Sequence, residues 1–246
     1  MTQIVILAAG KGTRMGSHLP KVLVPLNGKP MINYLMESVI KAEPEFKPIV
    51  VVSPDNKEII SQALSDYQVI YAIQAQQLGT GHAVACAREL VDDKAQNILV
   101  LYGDHPFLKT SSIKSFLTLS PAALTIMPTV LTDFEGWHHN FYGWGRIVRN
   151  QSEEVEAIVE LKDASDEQKL ITEVNPGFMC FNKDWLFKNI DKLRDDNKAH
   201  EFYLTDMVKI AFNEKFKVET IIIEPQEAMG INSPDELKIA ENITEK

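Results

Sequence analysis

The sequence is short of cysteine and of positive charge, and each shortage excludes a class of function. Only two cysteines occur in 246 residues, Cys86 and Cys180. Both sit in apolar surroundings without metal-ligand spacing and read as reduced core residues, not as a disulfide framework or a zinc centre. Lysine and arginine number 25 against 34 aspartates and glutamates, a net charge of -9. That balance argues against a nucleic-acid polymer or an anionic membrane as the main partner. A few local cations can still hold a small phosphorylated ligand. No apolar run is long enough to span a bilayer, and Lys11 and Arg14 follow the first apolar run too soon for a signal peptide. Repeats, linkers and low-complexity tracts are missing as well. What is there is 45% hydrophobic. This composition is expected of a soluble, cytoplasmic globular protein, long enough for one large α/β domain or two small ones.

Strands and helices alternate through the first half. QIVILAA, stopped by Gly10, reads as a buried strand. PMINYLMESVIKA places Met31, Leu35 and Val39 at helical spacing, with Pro30 in the first turn. PIVVVS follows as a strand and DNKEIISQALSDY as a helix capped by Asp55. YQVIYAIQ, GTGHAVACARELV and NILVLYGD continue as strand, helix and strand. The alternation predicts an α/β fold whose sheet is mixed but mostly parallel, with helices on both faces. In the second half PAALTIMPTV, GRIVRN, EVEAIVEL, PGFMCFN and KVETIIIE read as strands, some antiparallel. KDWLFKNIDKL, EFYLTDMVKIAF and SPDELKIAENI read as helices, the last capped by Ser233. The aromatic, glycine-rich TDFEGWHHNFYGWGR reads as a mobile loop.

Ligands of open α/β sheets bind beyond the carboxyl ends of the strands. Three segments lie at such ends: GKGTRMG after the first strand, QAQQLGTG after the third and GDHP after the fourth. In the first, Gly10 and Gly12 let the backbone approach a ligand and expose amides to phosphate oxygens. It is not a P-loop. It matches a relaxed dinucleotide pattern, but Pro20 interrupts the helix that pattern needs, and no acid ends the second strand. A phosphate site is the better reading. Arg14 and Lys21 are either solvated surface cations or a fork and a point charge for a polyphosphate. Asp104 ends an apolar strand and is either a cap or a ligand for magnesium, which takes few protein oxygens. His105 beside it is expected to be a solvent-facing loop residue. His138 and His139 would form a zinc pair only if further ligands converged, and none is evident in the sequence.

The stretch LAAGKGTRMGSHLPKVL resembles the signature loop of the sugar-1-phosphate nucleotidyltransferases. QAQQLGTGHAV, LYGDHP, GRI, VELKDASDEQ, NPG, EFYLTD and GIN follow in the order found in that family's N-acetylglucosamine-1-phosphate uridyltransferases. The resemblance covers nearly the whole chain. It implies one Rossmann-like domain over 1–246, of the nucleotide-diphospho-sugar transferase type, with a nucleotide-facing half to about 110 and a sugar-facing half over about 111–232. It implies that Leu7, Ala8, Ala9 and Gly10 surround the nucleotide, that Gln74, Gly79 and Thr80 read the uracil, and that Tyr102 and Gly103 border both ligands. Arg14 and Lys21 would act on the triphosphate, and Asp104 with Asn232 would hold magnesium. Gly145, Glu160, Asn175, Tyr203 and Thr205 match the positions that line the sugar pocket.

The reaction so implied is transfer of UMP from UTP to N-acetylglucosamine-1-phosphate, with no covalent intermediate and no general base. Two departures fall by the sugar pocket: Trp144 replaces a tyrosine in GWGR, and Pro176 replaces a threonine in NPG. Two alternatives therefore stay open: the same chemistry on another sugar-1-phosphate, or a non-catalytic nucleotide-binding relative. The 137–144 segment is expected to close over the sugar. With the chain ending at Lys246, the β-helical acetyltransferase part of the bifunctional members, and its trimer contact, are not expected.

Overall fold

In the computed structural model, which describes residues 1–10 and 12–244, Lys11 of the glycine-rich loop lies outside the described residues. The strands are β1 Thr2–Leu7, β2 Pro25–Leu26, β3 Lys29–Pro30, β4 Ile49–Val52, β5 Ile70–Ile73, β6 Asn97–Tyr102, β7 Leu124–Ile126, β8 Thr129–Val130, β9 Gly145–Arg149, β10 Val155–Val159, β11 Glu173–Asn175, β12 Met179–Asn182 and β13 Glu219–Thr220. The α-helices are α1 Met31–Lys41, α2 Lys57–Ala63, α3 Thr80–Ala85, α4 Thr110–Leu117, α5 Lys183–Asn189, α6 Asp206–Asn213, α7 Pro225–Ala228 and α8 Pro234–Thr244.

Seven strands form one sheet in the order β13-β7-β12-β6-β1-β4-β5. β6, β1, β4 and β5 run parallel, so Tyr102, Leu7, Val52 and Ile73 end at one edge. β12 is antiparallel to both β6 and β7. Alternation along β1 explains the two cores. Ile4 and Ile6 face α1 and α4 through Met31, Leu35, Val39, Ile113 and Phe116. Val5 and Leu7 face α3, α5 and α6 through Val84, Leu186, Met207 and Val208. A strand buried on both faces must be apolar throughout, and QIVILAA is. The expected mixed, mostly parallel sheet with helices on both faces is the one observed. A second sheet, β10-β9-β11-β8, is antiparallel.

Several boundaries differ from expectation. Asn56, not Asp55, precedes α2, and its side chain is used to tie Ser53 N–H and the Ala8 carbonyl together. α6 begins only at Asp206, because 202–204 is held against α3 instead: Phe202 N–H donates to the Leu78 carbonyl, and Leu204 N–H to Thr80 Oγ1. KVETIIIE yields only the two-residue β13. Ser233 does cap α8, accepting from Glu236 N–H at 3.2 Å. The aromatic stretch is packed, not loose. A 3-10 helix at Gly136–Phe141 buries Phe141 in the core against Trp137 and Trp144. Cys180 is buried as expected, whereas Cys86 is only half-buried.

Candidate active site

The carboxyl ends of the parallel strands open into two adjoining cavities of about 520 and 580 Å3. The first is lined by Leu7, Ala8, Ala9 and Gly10 after β1, Gln74, Gly79 and Thr80 after β5, and Tyr102 at the end of β6. The second is lined by Gly145, Glu160, Asn175, Tyr203 and Thr205, together with Trp144 and Pro176. Arg14, Lys21, Asp104 and Asn232 line both, and so form the partition between them. Of the site positions that the resemblance implies, Gly103 alone lines neither. It packs beneath the site, its N–H donating to the Leu7 carbonyl, with no room for a Cβ against Val22.

Local chain geometry explains how the partition is built. Arg14 sits in a 3-10 turn, Thr13–Met15, between Gly12 and Gly16, both left-handed (φ 62° and 61°). A Cβ on Gly12 would come within 2.5 Å of the Lys21 Cβ, so the loop can lie against Lys21 only with glycine there. Gly79 is equally constrained. Its φ of 114° and a Cβ position 2.7 Å from the Phe202 backbone let the α3 entrance dock on the segment around Phe202. Glycine in those motifs is thus explained by close approach.

Lys21 Nζ donates to Asp104 Oδ2 and, at 2.9 Å, to Asn232 Oδ1. Arg14 reaches the same Asn232 oxygen at 3.5 Å. Asn232 is oriented in turn by Glu236, which accepts from its N–H. Burial opposes the charge on Asp104, but the Lys21 ammonium and the His105 imidazole outweigh it and hold the carboxyl well below the usual carboxylate range. The fit to a divalent cation can be tested on these atoms. A carboxylate and a carboxamide oxygen from distant segments already converge on one cation, the ammonium. Both are hard oxygen donors, and magnesium needs only one or two from protein when phosphates and water supply the rest. The set fits magnesium. Among the described residues no group of three His, Cys, Asp or Glu could hold a metal. His138 instead faces Asp133 at 3.6 Å, and His139 stacks on Tyr142.

His105 corrects the sequence reading. It is buried, not solvent-facing. Its Nδ1 lies 3.0 Å from Asp104 Oδ1, and its ring packs edge-on to Phe178 and against Trp144. Gly230 leaves the space for it, since a Cβ there would lie 2.7 Å from the ring. Gln77 and Glu201 also line the first cavity and went unnoticed in the sequence. Gln77, which lay inside a quoted motif, donates to the Ala9 carbonyl at 2.9 Å.

The second cavity carries more carboxylates than the first: Arg14, Lys21, Asp104 and Glu201 line both, and Glu160, Asp235 and Glu236 are added in the second. Glu160 accepts from Thr205 Oγ1 at 3.0 Å. Burial, only partly offset by that hydrogen bond, pushes its carboxyl up, and Asp206, Asp163 and Glu201 add to the effect. Burial and the same Glu160 push the Tyr203 phenol up to about 12. A carboxyl raised in the folded state stabilises fully below its unfolded value and loses that contribution as pH rises through the folded one. At neutral pH an ionised Glu160 therefore destabilises the fold. Glu160→Gln is expected to raise the melting temperature at pH 7 by about 2–4 °C, on the order of 1 kcal/mol in a chain this size. At pH 4 the gain should vanish, and an equal gain at both values in thermal unfolding would contradict the assignment.

The MobA-like NTP transferase domain matches residues 4–204. The bifunctional protein GlmU of Clostridium novyi is 40% identical over 239 residues, 97% of this chain and 51% of that protein. GlmU of Caldicellulosiruptor saccharolyticus is 39% identical over 238 residues, 96% of this chain and 50% of that protein. The chain thus spans about half the length of these relatives. A UDP-glucose pyrophosphorylase, solved with UDP-glucose, shares the fold with a TM-score of 0.75 at 18% identity, covering 100% of this chain and 98% of that one. Among the described residues no helix is long and apolar enough to cross a membrane. The chain belongs to the MobA-like NTP transferases and is a nucleotidyltransferase.

Proposed function

We propose that this chain transfers UMP from UTP to N-acetylglucosamine-1-phosphate, in the cytoplasm, giving UDP-N-acetylglucosamine and pyrophosphate. The observation that carries the reading is the partition: Lys21, Arg14, Asp104 and Asn232 stand where two cavities meet, one lined by the nucleotide positions and one by the sugar positions. An oxygen of the sugar phosphate attacks the α-phosphorus of UTP as the bond to the β-phosphate oxygen breaks, and pyrophosphate leaves with the electron pair. The attacking oxygen is already ionised at neutral pH, so no side chain has to remove a proton. The task left to the protein is to bring two polyanions together in line. Lys21 and Arg14 lower their mutual repulsion, and both are positioned by Asn232. Asp104 and Asn232 would hold magnesium. That ion, when bound, supplies charge neutralisation on the phosphates and orients them. Gln74, Gly79 and Thr80 take the base, while Glu160 and Thr205 present a carboxylate and a hydroxyl to sugar hydroxyls.

The experiment is pyrophosphate release from a panel: UTP, CTP and GTP, each with N-acetylglucosamine-1-phosphate, glucosamine-1-phosphate or glucose-1-phosphate, with magnesium present. Release confined to UTP with N-acetylglucosamine-1-phosphate is expected. Preference for another sugar phosphate would retain the transfer chemistry and replace the sugar, the alternative that the departures at Trp144 and Pro176 leave open. Nucleotide binding without release on any pair would make the chain a non-catalytic relative.

A further inference from the structure

Gln74 is buried at the edge of the first cavity, and its surroundings decide which end of its amide a ligand meets. Nε2 lies 3.0 Å from the Gly79 carbonyl oxygen. A carbonyl only accepts, so the NH2 end must face it. The same nitrogen is 3.2 Å from His82 Nδ1. An NH2 group facing a ring nitrogen can only donate, so Nδ1 carries the lone pair and the ring proton sits on Nε2. That second nitrogen is 3.8 Å from Cys86 Sγ, a weak acceptor. Both amide hydrogens of Gln74 are thereby committed within the protein, and Oε1 is the polar atom left for the cavity.

We propose that His82, which lines neither cavity, is a positioning residue that sets base specificity through Gln74. The proposal rests on the uridine-nucleotide reading above. As a neutral Nδ1 acceptor, His82 turns Oε1 towards the base. Uracil offers a ring N–H to that oxygen; cytosine offers a lone pair, which opposes it. Gly79 alone would leave the amide one restraint to pivot about, and the freed hydrogen could then meet the cytosine ring nitrogen. His82 supplies the second restraint, and it does so from α3, whose entrance is locked by Gly81 N–H donating to the Phe202 carbonyl. A hydrogen-bond acceptor on that helix turn is what separates the two pyrimidines.

The test is calorimetric binding of UTP and CTP, with magnesium and no sugar phosphate, to the wild type, His82→Phe and His82→Asn. Thermal unfolding of each protein checks folding. The wild type should prefer UTP by about tenfold or more, as expected for one hydrogen bond made against one opposed. His82→Phe, a ring of similar size without an acceptor, should cut that ratio by about 3- to 10-fold, the worth of one hydrogen bond. His82→Asn, which can place its amide oxygen near the Nδ1 position, should restore most of it. A general loosening of the loop would weaken both nucleotides alike and leave the ratio unmoved. A folded His82→Phe protein that keeps the wild-type ratio overturns the role of His82 alone. No preference in the wild type overturns the uridine reading and this proposal with it. Should the phenylalanine variant fail to fold, His82→Leu is read by the same criterion.

Discussion

Replacing Asp104 with asparagine is expected to lower kcat/KM for nucleotidyl transfer by about 10²–10³, the range for losing one preorganised electrostatic group. The side chain keeps its shape, and its single amide oxygen can still accept from the Lys21 ammonium, while its NH2 end meets His105 Nδ1 as a donor. What disappears is the charge. Asp104 is 7% exposed and pairs with a Lys21 side chain that is 20% exposed. Losing a part-buried pair should cost on the order of 1 kcal/mol, a fall of about 2–4 °C in melting temperature. The second consequence has the opposite sign. Without Asp104 the partition gains net positive charge, so UTP binding measured in EDTA should tighten while magnesium-dependent turnover collapses. A variant that retains wild-type kcat/KM would remove Asp104 from the site's chemistry.

Arg146→Ala carries the largest expected loss of stability. Arg146 is completely buried, and among the described residues its hydrogen-bond partners are carbonyls. Its guanidinium donates to the Trp144 carbonyl, to the Tyr142 carbonyl at 2.9 Å and to the Lys169 carbonyl at 3.4 Å. Its plane lies against Phe134 and Tyr142, 4.7 and 5.3 Å from the ring centres. Burial pulls its pKa down, Tyr142 and Glu160 act the other way, and these carbonyls and rings hold the charge in place. Truncation leaves a cavity and three unmatched carbonyls, together about 3–5 kcal/mol. At about 2–4 °C per kcal/mol the melting temperature should fall by roughly 6–20 °C. Lysine cannot present a planar fork to three acceptors, so Arg146→Lys should recover less than half of the loss. Because residues 142–145 border the second cavity, KM for the sugar phosphate should rise more than KM for UTP. A melting temperature within 2–3 °C of wild type, no more than about one kcal/mol, would mean that the aromatic segment holds itself.

Legibility in the sequence followed the range of the forces involved. β1, β4 and β6 were readable because a strand covered on both faces must be apolar at every position, which no loop imitates. Gly10 and Gly12 were readable as a close-approach turn, but the expected neighbour was a ligand, whereas the contact that demands glycine at Gly12 is with the Lys21 Cβ. EFYLTDMVKIAF misled because its apolar spacing suits a helix, while the hydrogen bonds that keep 202–204 extended come from Leu78, Thr80 and Gly81, more than a hundred residues away. The burial of His105 was hidden for the same reason: Trp144, Phe178 and the gap at Gly230 are distant in sequence. The partition itself joins residues separated by 83 and 211 positions. Composition and spacing could nominate Lys21 and Asp104 singly; only the family resemblance paired Asp104 with Asn232. The aromatic stretch misled in another way. Its glycines suggested a free loop, but Phe141 and Arg146 anchor it in the core.

The most direct test of the account is phosphorus NMR of the purified protein with magnesium, UTP and N-acetylglucosamine-1-phosphate. The account predicts that the α-, β- and γ-phosphate signals of UTP decline together with the sugar-phosphate signal. They should be replaced by the paired resonances of a UDP-sugar diphosphate and an equal amount of pyrophosphate. Loss of UTP signal with the sugar-phosphate resonance unchanged, or no change in either, would contradict transfer across the Lys21–Asp104–Asn232 partition.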